Sequence, residues 1–288
     1  MSWRVVEFFA GMGGWRYALP QGAGVAAAYD ISPAALATYA LNHQDAPRAR
    51  ELATLPALDL QMLHADTWVM SPPCQPYCRM GKQEDVKDPR SRAFLRLLEL
   101  WEECRPARLA LENVEGFVDS EAYERLMVRL EGGNYNHRTL RVCPTQAGIP
   151  NLRPRVFVVA AKDPLLDPEP LRSEPLALSG FLDDPEDSEL YLAETQLRHL
   201  QGLDLAAPED LRSACFIGGY GQRFVGSGSF LQTPKGVRRF SPTEIARLMG
   251  LPESFRFPQT VSLEKRYKLL GNGLSIPVAR WVLSHLPH

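Results

Sequence analysis

Residues 3–30 read WRVVEFFAGMGGWRYALPQGAGVAAAYD, and the punctuation of this stretch decides the fold. An apolar run at about 3–9 stops at a turn carrying Gly11, Gly13 and Gly14. A helix follows and ends near Pro20, and a second apolar run at about 25–30 ends in Asp30. Strand, glycine turn, helix, strand is the opening of a βαβ unit. Ser32-Pro33 then starts a helix with a Ser N-cap and Pro at the first helical position, running to about His43. Working outward, further strands are predicted at about 66–70, 108–113, 138–143 and 155–161, with amphipathic helices at about 91–104 and 119–131. This alternation predicts a doubly wound α/β sheet. Residues 163–240 break it, being rich first in Pro, Asp and Glu and then in Gly, and read as a second, less regular region. Helices resume at about 242–249, 262–270 and 275–286.

With 288 residues and 45% apolar content, the chain can bury a large core in one or two domains. No membrane span is visible. The start, MSWRVVEFFAG, has no basic segment leading into a long apolar stretch, so a cytoplasmic protein without a signal peptide is expected. The five cysteines are odd in number and widely spaced, with no CxxC pair and no histidine cluster, so neither a disulfide framework nor a metal site is indicated. Net charge is −2, but the average hides a segregation along the chain. Residues 161–210 hold 13 acidic and 3 basic side chains, whereas residues 211–288 hold 11 basic and 3 acidic. No acidic residue lies between 211 and 240, where five Lys and Arg are interleaved with aromatics and glycines. A solvated basic face is the plain alternative, yet the mixture suggests loops that meet phosphates, with Arg223, Lys235, Arg238 and Arg239 as the contacts. The acidic block around Asp183, Asp184, Glu186 and Asp187 should then face away from a polyanion.

Three strand ends carry candidate chemistry. Cys74 in SPPCQPYCR follows the apolar run Trp68-Val69-Met70, and Pro72 and Pro73 stop the strand and set the thiol on a stiff turn. A buried core cysteine is the plain alternative. Glu112 and Asn113 in LENVEGF end another apolar run, which should set a carboxyl group beside Cys74; nucleophile plus acid is the implied pair. The turn FFAGMGGW lets backbone approach a ligand at a helix N-terminus, and Asp30, about 20 residues on, is placed for ribose hydroxyls. Together these imply a nucleoside-containing cofactor. The glycine spacing is not the GxGxxG of a nicotinamide oxidoreductase.

The ordered segments FFAGMGG, SPPCQ, LENVEGF, IPNLRPRVFVVA and YKLLGNGLSIPVA resemble the cytosine-5 methyltransferase family over nearly the whole chain. PPCQPYCRMGKQEDVKDPRS, CFIGGYGQRFVGSGSFLQ and RRFSPTEIARLMGLPESF resemble the branch that methylates a cytosine in the anticodon loop of tRNA-Asp. Two positions depart from that branch: Ile217 stands where Thr is usual after Cys-Phe, and Cys78 stands where Thr is usual. The resemblance implies a Rossmann-like class I S-adenosylmethionine-dependent methyltransferase sheet with a small irregular target-recognition domain. It divides the chain into a catalytic, cofactor-binding domain at 1–162, a recognition domain at 163–267 and a C-terminal helix at 268–288 that returns to the first. It implies that Cys74 adds to carbon 6 of cytosine and that Glu112 supports the ring at nitrogen 3. Arg153 and Arg155, on one face of a strand, would orient the base and its phosphate or ribose. Phe9, Gly11, Gly13, Gly14 and Asp30 would hold S-adenosyl-L-methionine, with Asn272 closing that pocket. The implied partner is nucleic acid, tRNA first and DNA second, with no metal and no membrane. The oligomeric state stays open, a monomer being compatible. A catalytically silent nucleic-acid-binding protein on the same fold is the alternative of another class; binding alone does not need a nucleophile.

Overall fold

The computed structural model describes residues 2–75, 77, 85–183, 188–197 and 201–288. The chain forms two compact units, one made of Met1–Val142, Pro154–Pro170 and Ala279–His288, the other of Cys143–Arg153 and Leu171–Val278. These limits differ from cuts after 162 and 267. Cys143–Arg153 joins the second unit because Leu152 and Ser213 exchange backbone hydrogen bonds with Ser213 and Pro150, and residues 268–278 stay there as well.

In the first unit the elements follow in order: β1 (Arg4–Phe8), α1 (Gly14–Ala18), β2 (Gly24–Asp30), α2 (Pro33–His43), β3 (Arg48–Ala49), α3 (Ala57–Gln61) and β4 (Thr67–Met70). Then come α4 (Arg92–Cys104), β5 (Arg108–Asn113), α5 (Glu121–Gly132), β6 (Asn136–Val142) and β7 (Arg155–Ala161). The sheet order is β3-β2-β1-β4-β5-β7-β6. Strands β1 to β5 run parallel, and β7 runs antiparallel between β5 and β6. TWVM and RLALEN read as unbroken apolar runs because β4 and β5 are buried on both faces. Alternation along β1 sends Val6 and Phe8 into a core with Leu60 of α3, Phe94, Leu97 and Trp101 of α4, and Leu126 and Leu130 of α5. Glu7 takes the opposite parity and meets Trp15 of α1 and Tyr39 of α2. Helices thus cover both faces. The Ser32 hydroxyl accepts from Ala35 N–H and Ser120 from Tyr123 N–H, each fixing where a helix begins.

The strand order reverses at β1 and β4, the place where open α/β sheets form a ligand crevice beyond the strand ends. Register makes this concrete. Tyr29, Phe8, Met70, Leu111 and Val158 pair side by side across the sheet. The next row is Asp30, Phe9, Ser71 and Glu112, so one edge receives every first-unit candidate.

In the second unit are α6 (Glu194–Leu197), β8 (Asp204–Ala206), β9 (Ser229–Thr233), β10 (Gly236–Arg239), α7 (Pro242–Leu248), α8 (Leu263–Gly271) and the start of α9 (Ile276–Leu283). The segment expected to be irregular holds a three-stranded sheet, β10-β9-β8, with β9 and β10 paired antiparallel. Phe216 packs edge to face on Tyr220 and Phe240, and Tyr220 on Tyr267. Two of the expected phosphate contacts have other work. Arg238 is buried and donates to both carboxylate oxygens of Glu244 at 2.8 and 2.7 Å. Glu244 also completes a capping box with Ser241 at the start of α7. Removing one member of such a pair strands a buried charge and typically costs about 3–5 kcal/mol. The Arg239 guanidinium lies over Phe224, Phe230 and Tyr220 and donates to the Tyr220 carbonyl. Arg223 and Lys235 remain exposed. Asp183 pairs with Arg247 at 2.7 Å, so it is part of the unit's own bonding. Asp184, Glu186, Asp187 and Cys78 lie outside the described residues. Among the described residues no helix is long and apolar enough to cross a membrane.

Candidate active site

The glycine turn is built on positive backbone angles: φ is +53° at Phe9, +55° at Gly11 and +81° at Gly13. A bulky residue in the left-handed region is a strained position that the surroundings must hold, and such residues gather where ligands are gripped. The two glycines differ in what they meet. A Cβ on Gly11 would have nothing within 4 Å, leaving that side of the turn open, whereas a Cβ on Gly13 would lie 2.2 Å from His43 Nε2. Gly13 is therefore glycine for packing as well as conformation, and Gly11 for conformation alone. Gly14 opens α1. Asp30 ties the turn to β2, its Oδ2 accepting from Gly11 N–H and its Oδ1 from Ser32 N–H, both at 2.8 Å. A carboxylate offers about four acceptor positions, so both oxygens can still take a hydroxyl donor. Ile31, next in sequence, is 66% exposed, an apolar face beside a polar anchor.

Cys74 lies four residues past β4, half-buried on a turn closed by Tyr77 N–H donating to the Cys74 carbonyl at 2.9 Å. Two contacts join this loop to the end of β5. Asn113 donates from Nδ2 to the Pro72 carbonyl at 3.2 Å. Gly116 permits the second: a Cβ there would stand 2.6 Å from the Tyr77 carbonyl oxygen. On the other side, buried Asp88 accepts from Arg90 Nε at 2.8 Å, and Arg90 donates to the side chain of Gln75, the residue after Cys74. Trp15 Nε1 donates to Ser71 Oγ at 3.1 Å, so the glycine turn and the cysteine turn share a bond.

Glu112 is buried at the end of β5 and forms an ion pair with Arg155, Nε to Oε1 at 3.3 Å. The antiparallel insertion of β7 explains that pairing. Glu112 pairs in register with Phe157, and Arg155 lies two residues along on the same face. Adjacent strands are about 4.8 Å apart, which places the Cys74 loop and Glu112 on neighbouring strand ends. The thiol loop and the carboxyl group thus leave the sheet from neighbouring strands, with a guanidinium holding the carboxyl.

Arg153 and Asn272 are in the second unit. Arg153 departs from the expectation of a shared strand face, because Pro154 intervenes and β7 begins only at Arg155. Its buried guanidinium donates to the carbonyls of Phe216 and Gly271, both at 3.0 Å, and of Gly273 at 2.5 Å. Cys215 Sγ is 3.3 Å from the same group. Asn272 caps the end of α8 rather than riding on the last helix. A Cβ on Gly271 would fall 2.2 Å from Gly218 N and from the Ile217 carbonyl carbon, so this glycine lets the CFIGG and LLGNG segments touch. Glu7, Gly116 and Asp88 are the residues that sequence reading passed over. An acid inside RVVEFF and a glycine inside LENVEGF were the available signals. Among the described residues no group of three or more His, Cys, Asp or Glu could hold a metal ion.

Residues 3–184 and 205–288 match the C-5 cytosine-specific DNA methylase family. The tRNA (cytosine(38)-C(5))-methyltransferase of Schizosaccharomyces pombe is 31% identical over 98% of this chain and 96% of that protein. The human protein of the same description is 29% identical over 96% of each. The crystal structure of the S. pombe Dnmt2 methyltransferase superimposes with a TM-score of 0.88 at 31% identity, covering 98% of this chain and 97% of that one. Sheet order, strand-end chemistry and these likenesses agree, and the chain belongs to the C-5 cytosine-specific DNA methylase family.

Proposed function

We propose that this protein transfers a methyl group to carbon 5 of a cytosine in a tRNA anticodon loop through a covalent Cys74–cytosine adduct. The observation that carries the reading is the single edge where the Cys74 loop, Glu112 and Arg155 meet the glycine turn and Asp30. The Cys74 thiolate adds to carbon 6, which makes carbon 5 nucleophilic; after methylation, loss of the carbon-5 proton and of the thiolate restores the aromatic ring. Glu112 shares a proton with nitrogen 3 and holds the exocyclic amine, an interaction that strengthens as sulfur adds, and Arg155 fixes the carboxyl's aim. Help of this kind is typically about 10²- to 10⁴-fold.

The methyl group comes from S-adenosyl-L-methionine. The residues suit that group: Gly11 leaves the turn open, Asp30 keeps acceptor capacity for ribose hydroxyls, and exposed Ile31 offers an apolar face to adenine. Phe9, Gly13 and Gly14 shape the same turn. Asn272 keeps the cofactor role that the family resemblance gives it, and Arg153 serves as a brace that sets the LLGNG segment.

Two arguments favour tRNA over DNA. The two relatives named above are tRNA methyltransferases, and a base in an unpaired loop reaches the thiol at less cost than the few kcal/mol needed to leave a duplex. With labelled cofactor, tRNA carrying an unpaired anticodon-loop cytosine should be methylated well above duplex DNA; the reverse preference would overturn the tRNA assignment. Cys74→Ala should abolish transfer and keep cofactor binding within a few-fold. RNA containing 5-fluorocytosine should trap wild type as a gel-stable adduct, and the variant should form none.

A further inference from the structure

The glycine turn is held from beneath by a set of polar side chains outside the proposed chemistry. His43, the last residue of α2, places Nε2 at 3.3 Å from the Met12 carbonyl oxygen, inside the turn. A carbonyl only accepts, so Nε2 carries the proton. Burial pulls the imidazole down to about 4, which keeps the ring neutral at pH 7. The ring lies between Tyr17 and Tyr39, with centroids 4.4 and 4.6 Å away, and it occupies the space that a side chain on Gly13 would need. Tyr39 continues the set, its hydroxyl donating to Glu7 Oε2 at 3.2 Å while Glu7 Oε1 accepts Trp15 N–H at 3.2 Å. Arg16 donates to the Tyr39 oxygen at 3.3 Å and pairs with Asp45 at 2.6 Å. Met12, Gly13 and Trp15, three residues of the turn and helix start, are thus each fixed by α2 or by Glu7.

We infer that His43 is a positioning residue for the cofactor turn: its ring N–H sets the Met12 peptide and so aims the Gly11–Gly14 backbone at an S-adenosyl ligand. The inference rests on the proposed cofactor site. The backbone of this turn is what meets the ligand, and rotation of the Met12 peptide re-aims its amides. A histidine here combines a flat ring that fits between two tyrosines with a donor at its tip. Phenylalanine supplies the first alone, and glutamine can supply the second.

Calorimetric titration of the full chain with S-adenosylhomocysteine tests this without turnover. His43→Phe and His43→Ala should each weaken binding about three- to tenfold, the range of one lost hydrogen bond. His43→Gln should return it to within about twofold. In methylation assays the KM for S-adenosylmethionine should rise by the same factor in His43→Phe while kcat at saturation is unchanged. His43→Ala guards against overpacking by the larger ring. Wild-type affinity in both donorless variants, a glutamine variant as weak as they are, or a fall in kcat at constant KM would overturn the inference. Wild type failing to bind the ligand at all would overturn the cofactor reading and this with it.

Discussion

Glu7→Gln should remove a pH-dependent weakness from the core. Glu7 is wholly buried in β1, and burial pushes its carboxyl from the usual 4.5 to about 8, against the bonds from Tyr39 and Trp15 that oppose the rise. Below 4.5 the group is protonated in folded and unfolded chains alike, and it adds no pH dependence. Between 4.5 and about 8 the unfolded chain releases the proton while the folded chain keeps it, so stability falls as pH rises. At about 1.4 kcal/mol per pH unit, the loss across the window is on the order of 4–5 kcal/mol. Glutamine keeps the shape, its carbonyl can accept Trp15 N–H, and its amide can donate to the Tyr39 oxygen. Unfolding free energies from urea titrations at pH 5.5, 7 and 8.5 should show the variant gaining on wild type at each step. Parallel profiles across those three values would refute the reasoning, because a buried carboxyl that titrates with its ordinary affinity contributes no such slope.

Gly116→Ala should lower kcat by about 10- to 100-fold with S-adenosylhomocysteine affinity unchanged, since its Cβ would press on the Tyr77 carbonyl and displace the Cys74 turn; single-turnover methylation checks it, and wild-type kcat would refute it. Asp30→Ala should cost roughly 1–3 kcal/mol of cofactor affinity by calorimetry, because Gly11 N–H and the ligand lose one acceptor together; unchanged affinity in a folded variant would move the cofactor site elsewhere. Neutralising Arg223 and Lys235 should reduce the log–log salt slope of tRNA binding by about 0.7 for each lost phosphate contact, whereas Arg238→Gln should destabilise the fold because Glu244 loses its partner. A slope that responds to Arg238→Gln alone would place the phosphate face elsewhere.

What the sequence disclosed and what it hid divide along the range of the interactions. The strand-end positions of Cys74 and Glu112 were legible because Cys74 follows one apolar run and Glu112 stands at the end of another, and in a parallel sheet buried on both faces such runs stop where the chain leaves for the crevice. Asp30 and the glycine turn were legible for the same reason, since one βαβ unit contains them. The insertion of β7 between β5 and β6 was not, because strand order is set by how helices cover the sheet and leaves no local period; yet that insertion is what gives Glu112 its Arg155. The hairpin of β9 and β10 escaped because SFLQT and GVRR lack clean alternation, and its core is aromatic packing from Phe216, Tyr220 and Phe240. Charge misled where partners were distant in role. Arg238 counts as a basic residue in a basic stretch, but Glu244 neutralises it from the first turn of the next helix. Arg153 is paired in sequence with Arg155, yet β7 begins only at Arg155, and three backbone carbonyls from two other segments accept from the Arg153 guanidinium. A charged residue therefore becomes a candidate for a binding face only after the acceptors within its own unit have been counted: Arg223 and Lys235 are exposed, whereas Arg153, Arg238 and Arg239 each donate to acceptors inside the second unit.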